Sequence, residues 1–129
     1  MNKRIDLHVG KKLLIVEDEI IVADDIASLA KDRGYEVLEP VFDYFAAVQA
    51  FQDHLPDLVI LDIRLQGKRT GIEFANWLRG HARTPIIYLT VFDNQMVRQL
   101  AQATSPVAYI LKPFLRRELV SALDQALIA

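Results

Sequence analysis

The stretch PDLVILD at residues 56–62 decides the fold of this 129-residue chain. Its four central residues, Leu58 to Leu61, are all apolar, and a carboxylate, Asp62, follows at once. A strand that is apolar at every position, and not at alternate positions, is buried on both faces. Such strands are typical of a parallel sheet that helices cover on both sides. The stretch therefore predicts an inner strand of a parallel sheet that ends at a carboxylate.

Similar apolar runs lie on both sides of this stretch, and amphipathic segments separate them. Further strands are predicted over 13–16, 37–41, 85–89 and 107–111. Helices are predicted from about 20 to Gly34, from Asp43 to about 52, over 72–79, over 94–103 and over the segment that ends near 127. This alternation predicts an α/β domain with a doubly wound, five-stranded parallel sheet, a flavodoxin-like (βα)5 fold of strand order 2-1-3-4-5.

Length and composition agree with one domain, predicted over residues 12–129, that follows an N-terminal extension over 1–11. The chain is 52% hydrophobic and contains no run of about 18 apolar residues that would predict a membrane span. A net charge of −2 argues against direct binding of nucleic acid, and the lack of cysteine excludes thiolate chemistry. No secretory signal is visible, so a cytoplasmic location is expected.

Polar side chains follow four of the five predicted strands. Glu17 and Asp18 follow the first, Asp62 the third, Thr90 ends the fourth, and Lys112 follows the fifth. Ligands of open α/β sheets bind beyond the carboxyl ends of the strands, where the strand order reverses. For the order 2-1-3-4-5 that point lies between strands 1 and 3, so these side chains are expected to converge there.

The chemistry of this set points to phosphoryl transfer. Clustered carboxylates repel one another, and Mg²⁺ removes the repulsion because it prefers oxygen ligands and commonly uses one or two carboxylates. An aspartate can act as the nucleophile that forms an acyl phosphate. Lys112 and Thr90 would supply a charge and a hydroxyl to the phosphoryl oxygens. Taken singly, each residue has a plainer interpretation as a helix cap, turn residue, strand former or solvated lysine, and Asp18 or Glu19 would then be the cap.

The motifs resemble the receiver domains of response regulators in bacterial two-component systems. The matching segments are LLIVEDE at 13–19, PDLVILD at 56–62, PIIYLT at 85–90 and YILKPF at 109–114, and the resemblance covers about residues 12–128. It implies a signalling phosphoacceptor of the CheY-like superfamily that is not an enzyme in the ordinary sense, although it catalyses its own phosphorylation and dephosphorylation. The implied donor is a histidine kinase or a histidine phosphotransfer protein.

The resemblance also assigns roles to single residues. Asp62 is the implied phosphoacceptor. Asp18, Glu17, Asp62 and the backbone carbonyl of Arg64 are the implied Mg²⁺ ligands. Thr90 is the implied switch hydroxyl.

Three further assignments concern the end of the fifth strand. Lys112 is the lysine expected to pair with the phosphoryl group, and Tyr109 is the aromatic residue whose rotamer is expected to follow Thr90. The Lys112-Pro113 peptide bond is expected to be cis. Phosphorylation would then change the surface of helix 4, strand 5 and helix 5 by a shift of population.

Some positions depart from the usual receiver pattern. The loop after Asp62 lacks the common Met-Pro pair and contains Lys68 and Arg69. Val91 replaces the usual small residue after Thr90, and we hypothesise that its bulk narrows access to the phosphoryl group. The side chain of Arg64 either reaches the phosphoryl group or is solvated.

Two other protein classes would need different residues at this edge of the sheet. A haloacid-dehalogenase-like phosphatase needs Asp-x-Asp after its first strand, and a flavodoxin-like cofactor binder needs a loop that accepts phosphate where Glu17, Asp18 and Glu19 stand. A degenerate receiver that acts as a binding module without phosphorylation stays open. So does a receiver excised from a DNA-binding regulator or hybrid kinase. Besides the phosphoryl donor, the expected partner is a downstream protein or a missing output domain. A homodimer is compatible with both possibilities.

Overall fold

A computed structural model describes residues 9–126 of the chain. Within this range five strands alternate with five helices. In chain order they are β1 (Lys12–Val16), α1 (Ile20–Asp32), β2 (Glu36–Val37), α2 (Tyr44–His54), β3 (Leu58–Leu61), α3 (Gly71–Arg79), β4 (Ile86–Thr90), α4 (Gln95–Gln102), β5 (Ala108–Leu111) and α5 (Arg116–Ala126).

The strands form one parallel sheet of order β2-β1-β3-β4-β5, so the predicted fold class is confirmed. β1 and β3 pair in register from Leu13 with Leu58 to Val16 with Leu61. Alternate residues of these strands belong to two separate cores, one beneath α1 and α5 and the other beneath α2, α3 and α4. Burial on both faces accounts for their uninterrupted apolar sequence.

The second strand is shorter than its predicted span of 37–41, because its regular pairing ends at Val37. The Leu38 N–H donates to the Leu13 carbonyl at 2.9 Å, and the next N–H of the alternating series would belong to Pro40. Proline has no N–H to donate. The Val41 N–H takes the vacant acceptor, the Ile15 carbonyl, at 3.0 Å, one residue out of step. Pro40 therefore produces a bulge at the edge of the sheet.

Helix ends largely follow the predicted signals. Asp43 caps α2 by accepting a hydrogen bond from the Ala46 N–H at 2.8 Å, and Gly34 follows α1 in the left-handed region with φ 94°. α2 continues two residues beyond the predicted end, to His54, and Leu55 ends it in a left-handed conformation with φ 48°.

The predicted extension over 1–11 falls mostly on residues 1–8, which lie outside the described residues, as do residues 127–129 at the predicted end of the last helix. β1 begins at Lys12. None of the helices within residues 9–126 is long and apolar enough to cross a membrane.

Candidate functional site

The carboxyl ends of β1 and β3 bring three acidic side chains together. The Asp62 N–H donates to the Val16 carbonyl at 2.9 Å, so the residues that follow both strands emerge side by side. Glu17, Asp18 and Asp62 each offer a carboxylate oxygen, and these oxygens lie within 4.8 Å of one another. Glu17 is 1% exposed and Asp62 is 5% exposed. The cluster predicted from the strand order is therefore present at the carboxyl edge of the sheet.

Lys112 approaches this cluster from the end of β5. Its Nζ atom lies 2.9 Å from Asp62 Oδ2, 2.8 Å from Glu17 Oε1 and 2.9 Å from Glu19 Oε1. Its backbone N–H donates to the Thr90 carbonyl at 2.9 Å, which holds the ends of β4 and β5 together. One ammonium group thus balances part of the charge of the described carboxylates around it.

Burial and charge shift the ionisation of this pair. The pKa of Glu17 is raised from 4.5 to about 7, mainly by burial and also by the nearby Asp62 charge, while the Lys112 ammonium and the Glu19 N–H oppose the shift. Burial alone would lower the pKa of Lys112, but its close contacts with the carboxylates of Glu17, Asp62 and Glu19 raise that pKa above its usual value. The lysine is therefore positively charged at neutral pH.

Thr90 and Tyr109 are connected through the backbone of one residue. Thr90 is fully buried, and its Oγ1 accepts a hydrogen bond from the Phe92 N–H at 3.3 Å. The Phe92 carbonyl in turn accepts a hydrogen bond from the Tyr109 hydroxyl at 2.8 Å. The half-buried ring of Tyr109 lies under the Arg98 guanidinium, 4.5 Å from its centroid, and Arg98 is paired with Asp93 at 2.8 Å.

The loop after β3 holds Asp62 from its other side. Asp62 Oδ1 accepts a hydrogen bond from the Arg64 N–H at 3.3 Å, while the Arg64 residue is exposed. The Gly71 N–H donates to the Ile63 carbonyl at 2.8 Å, and a Cβ atom at Gly71 would overlap the Asp62 carbonyl oxygen. This position has no room for any residue larger than glycine.

A cavity of about 610 Å³ opens beside Lys112, between α1 and the segment that leads into α5. Val91 lines it and is 57% exposed, so its predicted effect on access to the site stays a prediction. The Lys112-Pro113 peptide bond is cis. Phe114, which also lines the cavity, packs partly buried against the core beneath α1 and α5.

Sequence reasoning missed two contributors to this site. The sequence assigns Glu19 no part in the phosphoryl site, and its contact with Lys112 joins residues 93 positions apart. The link through Phe92 involves backbone atoms, which no pattern of side chains reports. The charge of Glu19, next to an acidic pair and on the same loop, was the one available signal.

The cluster fits the Mg²⁺ ion that the resemblance implies. Its donors are carboxylate oxygens, the ligands that this hard cation prefers. Glu17 Oε1 is buried and, among the described residues, has no partner in hydrogen-bond geometry despite its short distance to Lys112. A buried carboxylate oxygen without a full set of partners is costly, and a cation or its bound water would satisfy it.

A doubly wound sheet with acidic residues after β1, an aspartate after β3 and a lysine after β5 defines the class of signal-receiving domains. Comparison with known proteins agrees. The sequence model of the response regulator receiver domain matches residues 13–124. The chain belongs to the response regulator receiver domain family.

Individual relatives show how the chain compares in length. The transcriptional regulatory protein PdtaR of Mycobacterium tuberculosis H37Rv is 33% identical over 121 residues, which are 94% of this chain and 58% of PdtaR. The chain thus spans little more than half of that relative.

Solved structures cover the chain almost entirely. The BeF₃-activated receiver domain of RstA from Klebsiella pneumoniae has a TM-score of 0.83 at 31% identity and covers 92% of this chain and 100% of its own. The receiver domain of NtrX from Brucella abortus has a TM-score of 0.82 at 30% identity, with coverage of 91% and 98%.

Proposed function

We propose that Asp62 accepts a phosphoryl group from a phosphohistidine of a histidine kinase or histidine phosphotransfer protein in the cytoplasm. The observation that carries the proposal is the position of Asp62. Its Oδ2 lies 2.9 Å from the Lys112 ammonium, and its carboxylate belongs to the cluster formed with Glu17 and Asp18. A nucleophile, a cation and a set of metal ligands therefore share one edge of the sheet.

The reaction follows from this arrangement. A carboxylate oxygen of Asp62 bonds to phosphorus as the phosphorus–nitrogen bond breaks, and the electron pair stays on the imidazole nitrogen, which takes a proton from solvent. Lys112 donates to the negative phosphoryl oxygens, where charge is spread in the transition state. The signal ends when the acyl phosphate is hydrolysed. Water attacks phosphorus, the bond to Asp62 breaks, and the carboxylate is restored as inorganic phosphate leaves.

Mg²⁺ would be held by Asp18, Asp62 and the Arg64 backbone carbonyl, with Glu17 close by. When bound, the ion neutralises negative charge on the transferring phosphoryl group. The residues of the chain do the rest. Lys112 neutralises the opposite side, and the Arg64 N–H, 3.3 Å from Asp62 Oδ1, fixes the orientation of the acceptor carboxylate.

The proposal includes a switch that connects this site to the surface. When the Thr90 hydroxyl turns to a phosphoryl oxygen, the Phe92 N–H loses its acceptor, since Thr90 Oγ1 is 3.3 Å away in the present state. The Phe92 carbonyl then moves with its peptide and releases the Tyr109 hydroxyl. The ring of Tyr109 turns inward, and the surface of α4, β5 and α5 changes as a shift between two states.

We also propose that residues 12–129 are the receiver domain of a longer regulator, preceded by the extension over 1–11. The chain spans 58% of PdtaR, which leaves room for an output region beyond the receiver in a protein of that kind. A downstream protein that binds the α4, β5 and α5 surface is the partner if the receiver acts alone. This assignment gives the domain itself no direct contact with nucleic acid.

Phosphate incorporation from acetyl phosphate tests the function. Wild type is expected to incorporate one phosphate per chain with Mg²⁺ and none with EDTA, and Asp62→Asn is expected to incorporate none under either condition. Asp53→Asn is the matched control, because Asp53 is an exposed aspartate of α2 that bonds only a neighbouring side chain among its described contacts. Absence of incorporation by folded wild type, together with no response to beryllofluoride, would contradict the proposal and favour a binding module that acts without phosphorylation.

A further inference from the structure

Glu19 lies at the capping position of α1, but its carboxylate does not cap the helix. The Glu19 carbonyl accepts the first helical hydrogen bond, from the Ala23 N–H at 2.9 Å, and the backbone is extended there, with φ −92° and ψ 109°. Acidic side chains at such positions usually accept from a free N–H of the first turn. In the described part of the chain the Glu19 side chain makes no such bond to α1 and bonds instead to Lys112.

The loop geometry directs Glu19 to this contact. Its backbone N–H donates to Glu17 Oε2 at 3.0 Å, so the buried carboxylate fixes the backbone of the exposed one. From that position Glu19 Oε1 reaches Lys112 Nζ at 2.9 Å.

The carboxylates around Lys112 differ greatly in exposure. The side chains of Glu17 and Asp62 are 2% and 5% exposed, whereas that of Glu19 is 62% exposed. An ammonium group has three N–H donors. Two of them bond to Glu19 Oε1 and Asp62 Oδ2 at 2.9 Å, and Glu17 Oε1 lies 2.8 Å away outside hydrogen-bond geometry. A phosphoryl oxygen on Asp62 must therefore compete with these carboxylates for the ammonium group of Lys112. Glu19 is the partner that water can solvate most readily after it lets go.

We infer that Glu19 is a positioning residue that occupies one N–H donor of Lys112 in the resting state and releases it to the incoming phosphoryl group. The inference rests on the proposed function, because it needs Asp62 to be the acceptor. It makes Glu19 an antagonist of phosphoryl uptake. Once Asp62 carries the phosphoryl group, Lys112 has already left Glu19, so the hydrolysis of the phosphorylated form does not depend on this residue.

Two substitutions separate the hold on Lys112 from simple charge repulsion. Glu19→Gln keeps the length of the side chain and removes its charge, and Glu19→Asp keeps the charge and shortens the reach by one methylene. Aspartate is also a good capping residue, so the second variant retains the start of α1. Asp25→Asn is the control for charge alone, because Asp25 is exposed on α1 and lines the same cavity as Glu19.

The experiment measures the rate constant of uptake from acetyl phosphate with Mg²⁺, and the half-life of the phosphorylated protein after the donor is removed. Both Glu19 variants are expected to raise the uptake rate constant about two- to five-fold, the range of an exposed ion pair, while the half-life and the rate of Asp25→Asn stay at the wild-type values. Faster uptake in Glu19→Gln alone would reduce the effect to charge repulsion and overturn the inference. Unchanged or slower uptake in both variants would also overturn it. If wild type takes up no phosphate at all, the proposed function has failed first.

Discussion

The carboxyl end of the sheet around Asp62, the proposed phosphoacceptor (the acceptor end), and the surface of α4 are built in opposite ways. At the acceptor end, Glu17 and Asp62 are buried and Lys112 holds both within 2.9 Å. Of the eight residues of α4, all of them described, only Ala101 is buried, and Met96 is 71% exposed. Chemistry requires fixed atoms, whereas a surface that signals requires an alternative position of similar free energy. The comparison predicts that substitutions cost stability at the acceptor end and change conformation at α4.

The two ends of α4 repeat this contrast on a smaller scale. Beyond its C-terminus the buried Thr104 hydroxyl donates to the Ala101 carbonyl and lies 2.7 Å from the Tyr88 hydroxyl, which is also buried. At its N-terminus Asn94 caps the helix from an exposed position, accepting from the Val97 N–H at 2.9 Å. The described contacts of α4 are therefore buried beyond its C-terminus, whereas the cap at its N-terminus is exposed to solvent.

The largest effect is expected from Lys112→Met. The substitution leaves Glu17 and Asp62 buried without their cation, which costs about 3 kcal/mol of the free energy of unfolding without Mg²⁺. Burial raises the pKa of Glu17 to about 7, so the folded state binds this proton more tightly than the unfolded state and loses stability as the pH rises from 4.5 through 7. Removal of the ammonium raises that pKa further. Urea denaturation should therefore show a larger deficit at pH 8 than at pH 5.5.

The control for this variant is Lys11→Met, because Lys11 is an exposed lysine immediately before β1. It is expected to change the free energy of unfolding by under about 0.5 kcal/mol at either pH. An equal deficit at both pH values in Lys112→Met would show that ionisation of Glu17 is not linked to the lysine.

A smaller loss is expected from Gly71→Ala. The new Cβ atom would overlap the carbonyl oxygen of Asp62, so β3 and the loop after it must shift, at a cost of about 1–3 kcal/mol. Gly80→Ala, at the other end of α3, is the matched control because its φ of −73° suits alanine and its Cβ would lie 3.3 Å from the Trp77 carbonyl oxygen. Thermal unfolding of the two variants measures the difference. A Gly71→Ala protein as stable as Gly80→Ala would show that the acceptor end tolerates displacement after all.

The smallest effect on stability, under about 1 kcal/mol, is expected from Arg98→Met on α4. The Tyr109 ring loses the guanidinium that now lies 4.5 Å from its centroid. The expected result is conformational: the ring resonances of Tyr109 in NMR spectra of the unphosphorylated variant should move toward their positions in beryllofluoride-treated wild type. Arg117→Met, which removes an exposed arginine from α5, should leave them unchanged. If the Tyr109 resonances are unchanged in Arg98→Met, the arginine does not hold the ring in its present position.

The sequence predicted the sheet and its order because the deciding runs are apolar on both faces, as Leu58 to Leu61 show most clearly. It also predicted which residues gather at the carboxyl edge, since chain order and strand order fix where Asp18, Asp62 and Lys112 emerge. It overestimated β2, because Val37, Leu38 and Val41 suit a strand, while the consequence of the missing Pro40 N–H depends on the neighbouring strand. Periodicity describes faces and lengths, not the alignment of individual N–H groups.

Contacts between distant side chains were the other gap. Glu19 has the residue type and position of a capping residue, and only the folded structure brings the Lys112 side chain, from the end of β5, within reach of it. The tertiary contact with the charged Lys112, and not the local preference for helix capping, determines where the Glu19 side chain lies. The roles of Thr90 and Tyr109 came from the resemblance, and the Phe92 peptide that joins them could be found only in the structure.

The bulge at Pro40 also affects the tendency of the protein to aggregate at high concentration. An edge strand has unpaired N–H and C=O groups on its outer side, to which another chain can add its own strand. Long, flat edge strands therefore promote aggregation. β2 offers two regularly paired residues, and the bulge at Pro40 interrupts the regular strand geometry beyond them. The β2 edge of the sheet is thus a poor template for strand addition. This property favours reversible contacts through helices over irreversible aggregation.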